Sequence, residues 1–381
     1  MVRNIYWIKF KLKVICLFSL VIIQLSSIAQ LVNPGMTDNY DSLELGKITI
    51  SGIVDVYYGY DFNEPPTSNR SYAVSSIRHN EVNINLAYID IRYLEENVRA
   101  RFVPGVGTYV NSNYAAESGT LKNIIEANAG IRVSKKHNVW VDVGVLGSPI
   151  TNETAISKDH LLYTRGFAGE NVPYYLTGVR VSAPLSEKIT AYAYVVNGWQ
   201  QITDVNNPLS VLGQIEYKPN AYTLINLNAY MGSEESAQNP TFGNRYFTDA
   251  YFVYQKRKIT LTGDVYAGLQ NRLDTLTGKR DHNPWWQANL CGRYSLNHRL
   301  SFSTRGEYYS DPYQIIIKPI TDVNGFSTFS GSLCFDVKTG NHALFRFEGR
   351  QFFSKQEVYI DKRGEKAKSE LMLIANLCVW F

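Results

Sequence analysis

Charged residues spaced two apart carry the chemistry visible in this sequence. Arg99 and Arg101, Arg305 and Glu307, and Arg346, Glu348 and Arg350 each share one face of an extended chain, because strand side chains alternate sides. Glu126, Arg132, Asp142, Arg180, Glu216, Asp249, Asp264 and Arg293 hold the same phase relative to their apolar neighbours. Rows of fixed charge suit a wetted wall that attracts or repels ions. A reaction centre is not expected. The sequence contains no H-E-x-x-H, no G-x-S-x-G and no phosphate-binding loop. Asp159 and His160 are a candidate base pair for a hydrolase, yet neighbours in sequence need not meet in space. His79, His137, His282, His298 and His342 are scattered without metal-ligand spacing, so neither a metal nor another cofactor is expected.

One segment gathers both signs of charge. The connection 147–172 holds Glu153, Lys158, Asp159, His160, Arg165 and Glu170, with Tyr163 and Phe167 among them. Connections of this length are uncommon unless functional, and bundled charges suit a segment folded into a polar interior as a constriction. The alternative is a loop that reaches outward into water.

The elements that must carry these charges are strands. After Gly46 the chain repeats about ten alternating residues and then a turn, the pattern of an all-β protein. Sixteen runs are predicted: 48–58, 82–93, 98–103, 125–133, 139–145, 177–182, 189–195, 211–217, 225–231, 247–254, 259–269, 286–294, 300–308, 329–335, 343–349 and 369–381. The alternation of the second slips near Leu86-Ala87, which predicts a bulge. Connections alternate between short (such as 94–97, 134–138 and 338–341) and long (such as 104–123, 232–244 and 270–283). A soluble sandwich has no reason to sort its loops by side. A transmembrane antiparallel barrel does, with short periplasmic turns and long external loops. We therefore expect about sixteen strands, with fourteen and eighteen as the neighbouring counts.

Length and phase agree. Eleven residues at about 3.3 Å each, tilted by about 40°, rise roughly 28 Å, close to the hydrocarbon thickness of a bilayer. The opposite face of these strands is apolar, as Val139, Val141, Val143 and Val145 illustrate, and so are Leu371, Leu373, Ala375, Leu377, Val379 and Phe381. Charges facing lipid cost roughly 2–4 kcal/mol near the midplane, so the polar face should point to the lumen. Tyr57-Tyr58, Trp285-Trp286, Tyr308-Tyr309 and Phe352-Phe353 sit near strand ends, where an interfacial aromatic belt is expected. A sixteen-stranded lumen is too wide for side chains to fill. Mixed wall signs predict a channel of weak selectivity. Arg293, Arg305, Arg346 and Arg350 form either a basic ladder favouring anions or, with Glu307, Asp336 and Glu348, paired wall charges; we favour the pairing.

Residues 1–29 read as a secretory signal: Arg3, Lys9, Lys11 and Lys13, then an apolar stretch, then Ser27-Ile28-Ala29 before the expected cleavage. Residues 30–46 form a short periplasmic lead-in and 47–381 the barrel. The leader holds four of the 38 basic residues and none of the 34 acids, so the mature chain is balanced and gives no argument for nucleic acid. Cys291, Cys334 and Cys378 remain, an odd and widely spaced set that fits neither a disulfide framework nor zinc.

Several segments carry a family resemblance: Asp61-Phe62-Asn63, Gly147-Ser148-Pro149-Ile150, Thr177-Gly178-Val179-Arg180, and above all Val196-Asn197-Gly198-Trp199 followed by Asp204-Val205-Asn206. Together they resemble the OmpL-like β-barrel porin-2 family. The resemblance implies an exported porin in the outer membrane of a Gram-negative bacterium. Its partners would be the lipid bilayer, small hydrophilic solutes or ions, and the assembly machinery that reads the C-terminal strand; homo-oligomerisation is left open. After Pro149 the chain reads Ile-Thr-Asn-Glu, without the glycine the family would lead one to expect. Two other classes compete: an outer-membrane enzyme, and a structural or adhesive barrel with a closed lumen.

Overall fold

The computed structural model describes residues 43–381; the leader and most of the lead-in lie outside the described residues. Sixteen antiparallel strands form one closed barrel. The first eight are β1 Ile48–Asp61, β2 Val82–Leu94, β3 Val98–Val106, β4 Ile124–Ser134, β5 Val139–Gly147, β6 Tyr175–Pro184, β7 Ile189–Val196 and β8 Ser210–Asn220. The second eight are β9 Thr223–Ser233, β10 Phe242–Lys256, β11 Ile259–Leu273, β12 Arg280–Ser295, β13 Leu300–Asp311, β14 Phe326–Thr339, β15 Ala343–Ser354 and β16 Ser369–Trp380. Each pairs with the next in sequence, and Leu43–Leu45 folds back on the start of β1 around Gly46.

Closure explains the apolar final strand. β16 pairs with β1 from Met372↔Asp61 to Trp380↔Ile53, and Phe381 exchanges backbone hydrogen bonds of 3.0 and 3.1 Å with Gly52. A Cβ on Gly52 would lie 2.5 Å from the Phe381 ring, so glycine there lets the ring lie flat on the wall. With every edge paired, no backbone group meets hydrocarbon unsatisfied.

The side chains sort by face. Val54, Ile89, Val143, Leu290, Leu333 and Leu377 are exposed on the outside, whereas Asp55, Asp90, Asp142, Arg305, Arg346 and Asn376 are buried on the inside. That distribution inverts a water-soluble protein and fits a wall with lipid outside.

Two expectations need correction. Connections 232–244 and 270–283 are shorter than expected: β9 runs to Ser233 and β10 starts at Phe242, and β11 and β12 pair up to Leu273↔Arg280. Ladder hydrogen bonds hold this polar hairpin beyond the apolar band, and the Asp274 carboxylate closes its turn on the Leu276 and Thr277 N–H groups. The aromatic pairs also divide. Tyr58, Trp286 and Phe353 face outward, but Tyr57, Trp285, Tyr309 and Phe352 are buried inside, since adjacent strand residues must point to opposite sides. The predicted bulge is present one residue earlier: Asp55 pairs with Leu86 and Val56 with Ile84, leaving Asn85 extra.

Candidate functional site

The interior is divided by the segment 148–174, which runs inside the barrel. It leaves β5 and crosses to β9, where the Pro149 carbonyl accepts from Asn226 and Asn228 at 3.2 and 3.0 Å. It continues past β10, with the Thr151 N–H donating to Asp249 at 3.1 Å. On the far side Thr164 donates its N–H and hydroxyl to Glu348 at 2.7 and 2.6 Å, and the Phe167 N–H donates to Glu307 at 2.6 Å. The wall donates in return. Arg305 reaches the Thr164 carbonyl at 2.7 Å, Arg350 the Arg165 carbonyl at 2.7 Å, and Arg346 the Ser157 and His160 carbonyls at 2.5 and 2.9 Å. Arg293 binds the Leu161 carbonyl at 2.6 Å and Asp336 at 2.8 Å. A segment whose only regular structure is two short helical turns, Ser157–Asp159 and Phe167–Glu170, leaves many backbone groups unpaired, and buried ones must find partners. Here arginine and glutamate side chains of β12, β13 and β15 supply them.

Apolar contacts close the same sector. Phe167 packs on Tyr309, Phe326 and Phe352 at ring distances of 5.6, 5.8 and 5.7 Å. Trp199, from the Asn-Gly-Trp segment, packs edge-on to Tyr230 and Phe247, each at 5.0 Å. The inward aromatics thus form a core above the ion pairs rather than an interfacial belt.

Each candidate residue of the segment has a definite place. Glu153 is buried between Arg305, at 3.4 Å, and the Gly166 N–H, at 2.6 Å. Burial pushes its carboxyl above the usual range, against the pull of Arg305. Lys158 pairs with Asp159 at 2.6 Å. His160 accepts from the Thr154 N–H through Nε2 at 2.9 Å. Burial, helped by the guanidiniums around it, holds its imidazole well below the usual range. The suggested Asp159–His160 pair therefore points in two directions. Arg165 donates to the Thr154 carbonyl at 2.6 Å and lies over Tyr109 and Tyr174. Glu170 accepts from the Val74 N–H at 2.7 Å, tying the first long loop to this one. Asp264 is buried on β11 beside Gln287.

Opposite this packed sector the lumen is open. A cavity of about 450 Å³ lies between the segment and the inner faces of β2–β8. Across β2 and β3, Arg92 and Arg101 stand directly opposite each other, an arrangement that repels unless a carboxylate intervenes. Asp90 accepts from both at 2.8 Å, and Glu126 accepts from Arg101 at 2.7 Å. Nearer the short turns, Asp142 accepts two bonds of 2.6 Å from Arg99 and two, of 2.9 and 3.1 Å, from Arg180. Gly130 makes that bridge possible: a Cβ there would lie 2.2 Å from Asp142 and 3.1 Å from Arg99. Arg132 and Arg99 both lie against the Trp140 ring, at 4.8 and 4.3 Å. Glu216 pairs with Lys218 at 2.8 Å.

Asp90, Arg92 and Trp140 were absent from the predicted set. The bulge at Asn85 reverses the phase of β2 beyond it, and carrying that reversal forward places Asp90 and Arg92 inside.

The family model described as putative beta-barrel porin-2, OmpL-like, matches residues 47–381. No curated protein matches the sequence. Solved structures share the fold at low identity. OmpF of Salmonella typhi in complex with daunomycin superposes with TM-score 0.60 at 10% identity, over 88% of this chain and 97% of that one. An anion-selective porin from Comamonas acidovorans gives 0.57 at 10% identity, over 88% and 99%. The trimer form of in-vitro folded OmpT of Vibrio cholerae gives 0.56 at 7% identity, over 88% and 99%.

Proposed function

Since the chain belongs to the OmpL-like β-barrel porin-2 family and is thus an outer-membrane diffusion channel, we propose that solutes pass only through the half of the barrel bounded by β2–β8. The observation that carries this reading is the asymmetry of the segment 148–174. It is bonded to the β12–β15 wall, while on the β2–β8 side, apart from the packing of Ala155 with Leu86, Tyr88 and Val103, a cavity of about 450 Å³ lies between segment and wall. A conduit lined on one side by this polar wall admits small hydrophilic solutes and ions, and their passage is passive. No catalytic step is part of the reading, and the divergent Asp159 and His160 side chains support that. Docking of β16 on the assembly machinery and association with further copies of the chain belong to it as well.

Reconstitution in a planar bilayer tests the channel. Stepwise conductance smaller than an unobstructed sixteen-stranded barrel would give is the expected result. Folded protein that inserts and yields no steps would instead favour the structural barrel with a filled lumen.

A further inference from the structure

We propose that the open half of the lumen is an anion-preferring filter, with Arg99, Arg132 and Arg180 as a subsite for the carboxylate or other oxyanion group of a passing solute. This rests on the reading that solutes take that half. It follows from how charge is distributed around the interior.

On the packed side, Arg293, Arg305, Arg346 and Arg350 face Glu153, Glu307, Asp336 and Glu348. Four cations meet four anions, and the remaining N–H groups are taken by backbone carbonyls. Arg293 alone of the four keeps an appreciable part of its side chain, 19%, in solvent, and its Nη2 is already shared by Asp336 and the Leu161 carbonyl. In the open half the upper level is also balanced, Arg92 and Arg101 against Asp90 and Glu126. Below it the balance fails. Arg99 and Arg180 share one carboxylate, Asp142. Arg132 forms no direct ion pair with a carboxylate among the described residues: it lies on the Trp140 ring face, and Glu96, the nearby acid whose carboxyl it helps hold down, is paired with Lys135.

Burial adds to the imbalance. The Asp142 side chain is fully enclosed, whereas those of Arg99 and Arg180 are 31% and 24% exposed. Water and solutes therefore meet guanidinium edges with the neutralising carboxylate behind them. Arg99 and Arg180 each spend the Nε–Nη2 edge on Asp142, which leaves their Nη1 groups, with the guanidinium of Arg132 on the Trp140 face, to meet an oxyanion through charge-assisted hydrogen bonds. A charged cleft with low-dielectric walls concentrates counter-ions. The surplus of about two positive charges lies at the short-turn end of the cavity, which Arg180 itself lines, so a solute coming through the cavity must pass it. The buried Asp249 does not offset it, because that carboxylate is turned to the Thr151 N–H on the packed side.

The test is the zero-current potential of the full chain in a planar bilayer under a KCl gradient, repeated with potassium succinate and potassium phosphate. The wild type should pass chloride over potassium by about tenfold, the low end of the enrichment charged clefts produce. Millimolar succinate should reduce the chloride current. Arg132→Gln and Arg180→Gln should each lose most of the preference and of the succinate block, and Arg132→Lys should retain the preference. Asp142→Asn should strengthen it, which loss of a purely structural contact would not do. If succinate and phosphate block alike, the subsite serves oxyanions in general; if only succinate blocks, it serves carboxylates. Potassium preference in the wild type, or an unchanged ratio in both glutamine variants with conductance intact, would overturn the inference while leaving the channel standing. Absence of any conductance from folded protein would instead overturn the channel reading beneath it.

Discussion

Two arginine-rich walls face each other across this barrel and behave in opposite ways. On β12–β15, Arg305 and Arg346 have no solvent-exposed side-chain surface, and every charge is spent on a carboxylate or a loop carbonyl. On β3 and β6, Arg99 and Arg180 keep about a quarter to a third of their side chains exposed. Residue type, strand periodicity and inward direction are the same on both walls. What differs is whether the segment 148–174 lies against them. An arginine ladder in a barrel is therefore a clamp or a filter according to what it faces, and its own sequence does not say which.

The comparison breaks most decisively at Glu307. It accepts from the Phe167 N–H and pairs with both Arg305 and Arg350 inside the packed wall. Glu307→Gln leaves a buried guanidinium surplus, so the barrel should lose about 3 kcal/mol of stability in denaturant unfolding from detergent. The freed segment should also give larger and noisier conductance. An unchanged single-channel current would mean that the ion pairs do not hold the segment in place. A smaller effect is expected on the open wall from Gly130→Ala, whose methyl would meet Asp142 at 2.2 Å. Overpacking of this kind costs about 1–3 kcal/mol. Displacement of Asp142 should alter the anion-to-cation ratio with little change in the size of the current, and a ratio that stays fixed would show that this bridge does not govern the filter. The smallest effect belongs to neither wall. Lys135 and Glu96 pair at the short turns with most of both side chains in water, so Lys135→Ala should leave stability and conductance as they were. A measurable loss there would mean that the short-turn rim matters more than the lumen contrast allows.

Much of the architecture was legible beforehand. All sixteen strands lie where the alternation placed them, with ends extended by a few residues, because period-two burial is a local property that lipid outside and water inside impose on every strand. Where the alternation was ambiguous, so was the reading. The bulge at Asn85 hid Asp90 and Arg92 by reversing the phase of β2. The aromatic doublets were harder, since adjacent residues face opposite sides and both members look alike in sequence. Trp285 and Trp286 differ only in which side of the wall the register puts them.

By itself, then, the sequence determined the barrel, its outer and inner faces and the identity of the charges within, all consequences of chain-local periodicity. Tertiary structure alone decided which of those charges remain available. The course of the segment 148–174 depends on pairings between residues far apart in the chain, such as Thr164 with Glu348 and Asn226 with Pro149. Contacts of that range leave no spacing for a sequence to show, and they separate the arginines that grip a loop from those that face a solute.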